Sequence, residues 1–123
     1  MAKSLITPVS IDYSIIEELK SLDDENEPSG LPELLDLFIQ ETEKRIILLS
    51  QFLKNHDFKG MSDLTHSLKS SAASVGASLL AEIAGKMEPL TKFSDFNDLD
   101  KLFAQFKTEF SKVKPELLNI KKT

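Results

Sequence analysis

The chain has 123 residues, a net charge of −5 and a pI of about 5.0. That length suits one domain rather than two, with a core large enough to need no covalent staples. The excess of acid excludes a general nucleic-acid binder, which carries a basic patch or stripe, and it argues against an anionic membrane surface as partner. With no cysteine there are no disulfides, thiolate metal sites or thiol nucleophiles. Two histidines, at positions 56 and 66, and no cysteine offer little to zinc. The opening "MAKSLITPVS" lacks the apolar centre of a signal peptide. No apolar run approaches the roughly 20 residues of a membrane span. A soluble, cytoplasmic protein is expected, either free or as one domain of a longer chain.

Taken in order, the segments predict an all-α protein. Residues 1–11 read as an extended lead-in. Asp12 can cap a short helix that runs to about Leu22, with Ile15, Ile16 and Leu19 facing inward. The run "DDENEPSG" reads as a charged turn. Pro32 suits the first turn of a second helix, where its missing N–H costs little. That helix is expected to reach Leu53, with Leu35, Phe38, Ile39, Ile46, Leu49, Phe52 and Leu53 on its apolar face. "KNHD" breaks it, and Asp57 can cap a third helix carrying Met61, Leu64, Leu68, Ala72 and Val75. Gly76 marks a bend. A fourth helix has Leu79, Leu80, Ile83, Ala84, Met87 and Leu90, and Pro89 is expected to end or kink it. Ser94 can cap a last helix with the stripe Phe96, Leu99, Phe103, Phe106, Phe110 and Val113; Pro115 is placed near its end. Residues 12–118 thus form the helical domain and 119–123 a tail. Four apolar stripes joined by short connections want one shared core, an up-down bundle.

On the third helix His66 falls about 160° from the mean direction of the apolar residues. It therefore points outward. Ser62, Lys69, Ser70 and Ala73 share its side. An exposed helix face normally carries long charged side chains, whereas Ser70 and Ala73 leave the imidazole standing clear. A second protein could come close. A free imidazole is largely neutral at pH 7 and is a nucleophile without needing a strong base. With no carboxylate dyad or second histidine nearby, the chemistry that suits it is taking up and giving away a phosphoryl group. Lys69 could offset charge on phosphoryl oxygens. The residues alone leave a second reading open, a surface histidine on a helix of small residues. His56 sits in a turn away from this group. Asp36, Glu41 and Glu43 read as solvated surface, and Glu88 as structural near its helix end.

The stretch "HSLKSSAASVGASLLAEIAGKME" resembles the central motif of the histidine phosphotransfer (HPt) domain family. That motif runs His-x-Leu-Lys-Gly, small residues, a hydrophobic residue and Gly, and later a Leu and a Leu-Glu. His66, Leu68 and Lys69 match its start. Ala72, Ala73, Val75 and Gly76 match its small stretch and closing turn, and Leu80, Met87 and Glu88 fall at the later spacings. The likeness covers roughly Asp12 to Leu117. It implies a four-helix bundle with an additional short N-terminal helix. It implies that His66 accepts phosphoryl from an aspartyl phosphate on a receiver domain of a response regulator or hybrid histidine kinase and passes it to another receiver aspartate. Lys69 and Ser70 would assist; Ser62, Thr65, Ala73 and Gly76 would form or position the docking surface. The chain would be a phosphorelay intermediate without a kinase core. It would hold no cofactor of its own, Mg²⁺ would belong to the receiver, and an exposed transfer histidine needs no dimer, so a monomer is expected. Serine at position 70 departs from the family's glycine, and Thr65 from a common alanine. A bundle that keeps the fold but has lost transfer is the alternative that Ser70 keeps alive.

Overall fold

Five helices account for nearly all of the residues that the structure, a computed structural model, describes: 9–22, 30–93 and 96–122. They are α1 (Tyr13–Ser21), α2 (Leu31–Lys54), α3 (Phe58–Ser74), α4 (Ser78–Phe93) and α5 (Phe96–Lys122). Helices α1 and α3 start at side chains that accept from the first free N–H groups. The Asp12 carboxylate accepts from the Ser14 N–H at 3.0 Å and from its hydroxyl at 2.6 Å. The Ser14 hydroxyl first, then its amide, hold the Asp12 carboxyl below the usual range. Asp57 caps α3 by accepting from the Gly60 N–H at 2.9 Å. Pro32 occupies the first turn of α2. The expected cap at Ser94 lies outside the described residues, as do residues 1–8 of the lead-in and most of "DDENEPSG".

The helix pairs run antiparallel, as lateral contacts show. His66 on α3 faces Glu88 on α4, while Lys69, one turn later, lies over Gly85, one turn earlier. On the other side of the bundle, Lys114 and Lys121 of α5 pair with Glu43 and Asp36 of α2 at 2.6 and 2.7 Å. Arg45 of α2 donates to the Ser71 hydroxyl of α3 at 3.1 Å. Neighbours α2–α3–α4–α5, with α5 closing on α2, make the up-down four-helix bundle the stripes required. The predicted apolar positions fill its centre, with Leu35, Leu49, Met61, Leu68, Leu80, Met87, Leu99 and Phe106 almost wholly buried.

The short α1 is fastened to one end. The Asp12 N–H donates to the Gly76 carbonyl at 2.7 Å, and the Leu79 N–H donates to the Val9 carbonyl at 2.9 Å. Gly76 has φ +80°, and a Cβ there would stand 2.9 Å from the Asp12 carbonyl oxygen. Both the left-handed backbone and the close approach call for glycine. The Tyr13 hydroxyl donates to Glu116 on α5 at 2.5 Å, and that carboxylate pushes the phenol pKa up.

Three expectations are corrected. Of the two outcomes expected at Pro89, an end or a kink, the end is overturned: α4 continues to Phe93. Its ring is exposed, and the packed Met87 and Thr91 on either side hold the turn that loses one backbone bond. Pro115 likewise lies inside α5 rather than near its end. Residues 119–122 are therefore not a tail: the helix runs to Lys122, and Ile120 is buried among the core residues. Among the described residues no helix is long and apolar enough to cross a membrane.

Candidate functional site

Helix α3 turns its apolar residues inward, so the opposite ridge is set by arithmetic. Met61, Leu68, Ala72 and Val75 are buried, and His66 projects outward with 67% of its side chain exposed. Lys69, Ser70 and Ala73 are exposed beside it, and Ser62 is half-buried at the edge of the same ridge. Ser70 and Ala73 are too short to wall off the ring. Ser70 makes no hydrogen bond to it; its carbonyl accepts from the Ser74 hydroxyl at 2.9 Å.

Two of the expected docking residues are elsewhere. Thr65 is 0% exposed. Its hydroxyl donates to the Ser62 carbonyl at 3.1 Å, which removes the cost of burying it. It belongs to the core. Gly76 is buried in the turn between α3 and α4, where it serves the junction with α1.

One residue of the site was read only as a helix-end prop. The Glu88 carboxylate, on α4, lies 3.3 Å from His66 Nδ1 and is itself three-quarters buried. The contact is longer than an ideal hydrogen bond, and such contacts commonly tighten when a site is engaged. The signal in the sequence was positional: Glu88 follows the core residue Met87 on α4, but only the antiparallel register of α3 and α4 sets it against His66. A carboxylate at Nδ1 favours the proton there and leaves the lone pair on Nε2. It also stabilises the positive ring that forms when Nε2 takes an electrophile.

Lys69 supplies the cation. Among the described residues its ammonium has no ion pair; the nearby acids of α4 are engaged elsewhere, Glu88 with His66 and Glu82 with Lys86. The other candidates fall into packing roles. His56 has φ 58° and rests its ring on Phe96, centroids 4.4 Å apart. Asp36 and Glu43 pair with α5, and Glu41 lies 3.7 Å from Lys44.

Fold and ridge together define a class: an all-helical protein that presents one imidazole, backed by a carboxylate and with a lysine one turn away, on a surface low enough for another protein to reach. Residues 33–115 match the Hpt domain family, and the chain belongs to that family. It is similar to the phosphorelay protein LuxU of Vibrio vulnificus, in two strains, with 32% identity over 82 residues, or 67% of this chain and 71% of LuxU. Its fold is similar to that of the histidine-containing phosphotransfer protein HptB from Pseudomonas aeruginosa PAO1, with a TM-score of 0.85 and 22% identity over 94% of this chain and 97% of HptB. It is also similar in fold to the histidine-containing phosphotransfer protein MtHPt2 from Medicago truncatula, with a TM-score of 0.81 and 24% identity over 92% of this chain and 78% of that one.

Proposed function

We propose that this chain is a phosphorelay carrier in which His66 takes a phosphoryl group from the aspartyl phosphate of one receiver domain and gives it to the aspartate of another. The observation that carries the reading is the exposed His66 ring, with Glu88 at Nδ1 and, one turn away, Lys69, which has no ion pair among the described residues. In the forward step the Nε2 lone pair attacks phosphorus. A P–N bond forms as the P–O bond to the receiver aspartate breaks, and the aspartate leaves as a free carboxylate. The ring becomes cationic, with its Nδ1 proton facing Glu88. Lys69 meets the charge on the phosphoryl oxygens. The second receiver reverses the sequence.

Receiver domains are the partners, and Mg²⁺ is held by the receiver. This chain contributes no kinase core, acts as a monomer and works in the cytoplasm. Ser62, Ser70 and Ala73 form the low ground around the ring. An apolar hollow between α2 and α3, lined by Leu34, Leu37, Phe38 and Val75 together with Glu41, Arg45, Ser71 and Ser74, would extend the docking surface toward α2. The binding-only reading drew its support from Ser70, and the exposed Ser70 side chain leaves the ring accessible.

The test is incubation with a phosphorylated receiver and Mg²⁺. Wild type is expected to acquire acid-labile, base-stable phosphate, and His66→Ala to acquire none. Unlabelled wild type, or labelled His66→Ala, overturns the reading.

A further inference from the structure

Gly85 stands on α4 directly beneath the side chain of Lys69. A Cβ built on Gly85 would lie 3.6 Å from both Cδ and Cε of Lys69 and 3.9 Å from its Nζ. The lysine stem thus crosses α4 at the one residue of that turn that has no side chain. Glycine is a poor helix former, and in a helix interior it needs another reason to be there. The neighbours of this residue sharpen the point. Glu88 is one turn further on and occupied with His66, and Glu82 is one turn back and occupied with Lys86. A long side chain at position 85 would lift the lysine off the helix. Pro89 has no N–H to offer the Gly85 carbonyl, which gives glycine a competing, purely structural purpose there.

Resting on the phosphotransfer reading above, we propose that Gly85 is a positioning residue for Lys69. Its bare backbone is a track that holds the lysine stem against α4. The ammonium is thereby kept on the His66 side of the bundle and ready for phosphoryl oxygens before any phosphoryl group arrives. The ordering of a flexible four-carbon stem is completed on folding rather than during transfer.

The variants separate track from scaffold. Gly85→Ala adds only a methyl at ordinary contact distance, and is expected to slow transfer far less than a long side chain does. Gly85→Leu fills the track and is expected to slow phosphorylation of His66 about tenfold, the scale of a lost hydrogen bond to a charged group. It is expected to do so with phosphoramidate as donor as well as with a phosphorylated receiver, because the effect is on the lysine and not on docking. In a Lys69→Ala background the same leucine is expected to cost nothing more. Thermal melting checks that each variant is folded. Three results each overturn the proposal: wild-type transfer by folded Gly85→Leu, equal slowing by leucine with and without Lys69, or slowing confined to the receiver as donor. Loss of labelling in His66→Ala is scored first and separately. If wild type is never labelled on His66 by a receiver, the phosphotransfer reading fails, whereas additive Gly85 and Lys69 effects on a labelled His66 defeat only this inference.

Discussion

Glu88 meets the His66 ring from α4, while Lys69 approaches from the next turn of α3, so the two charges act on different atoms. Glu88 lies at Nδ1 and bears on the ring; in the proposed transfer Lys69 bears on the group that Nε2 receives. Replacing Glu88 by Ala removes the acceptor that favours the Nδ1 proton and leaves a cationic ring without its counter-charge. Transfer from a phosphorylated receiver is expected to slow about tenfold, the scale of one charge-assisted contact. Glu88→Gln keeps an acceptor oxygen in place and is expected to retain most of the rate. Single-turnover transfer measures both, and a wild-type rate in Glu88→Ala would show that the carboxylate plays no part. His66, Lys69, Ser70 and Ala73 were legible in sequence because one helix's periodicity is enough to place them on one ridge. Glu88 and Gly85 were not, because their relation to that ridge depends on how α4 slides against α3. Thr65 was placed in the docking surface by the family resemblance, although the same periodicity puts it beside Ala72 and Leu68 on the inward side.

At the scale of elements the helices were legible, and so were the bounds of α1, α2 and α3; the C-terminal ends of α4 and α5 were not. The caps at Asp12 and Asp57 are local chemistry and form as expected. Proline was given too much weight: in α4 and α5 it removes one backbone bond, and packed residues on both sides keep the helix going. In α5 the run Val113, Leu117, Ile120 continues the stripe at the same spacing past Pro115 and carries the helix to Lys122. Helix α5 also buries a carboxylate that the stripe did not predict. Glu109 is only 5% exposed, and its Oε2 is buried with no hydrogen-bond partner among the described residues. An unpaired polar atom in the interior costs roughly 1–3 kcal/mol. Glu109→Met, similar in volume and without that atom, is therefore expected to stabilise the protein by about 1–2 kcal/mol. Chemical denaturation reads this as a higher midpoint at unchanged slope. A lower midpoint would mean that the carboxylate is satisfied in solution.

For the whole molecule, the closed ring of four helices gives α3 one outward ridge with α4 on one flank and α2 on the other. On the α4 flank Glu88 meets the His66 ring and Gly85 lies under the Lys69 stem. The α2 flank carries apolar surface that the core does not use: Leu37 is 55% exposed at the edge of the hollow it forms with Leu34, Phe38 and Val75, and Ser71 and Ser74 of α3 share the rim. On the proposed docking, a receiver seated over His66 would reach across Ser71 and Ser74 to this flank, and Leu37 would then pass from water into contact with it. Truncation to alanine is expected to weaken receiver binding by about 1–2 kcal/mol, or roughly tenfold, as for an apolar side chain buried on association. Because Leu37 is exposed in the free protein, the melting temperature should barely move. The rate with phosphoramidate should not move at all, since that donor makes no use of the hollow. Ile47 provides the control. It lies on the same helix and is 61% exposed, but it borders a groove with Phe103 and Lys107 of α5, on the other side from α3. Ile47→Ala should leave the receiver's KM unchanged while Leu37→Ala raises it, with kcat preserved in both. Equal effects of the two truncations would mean that the receiver does not use the α2 flank of the ridge.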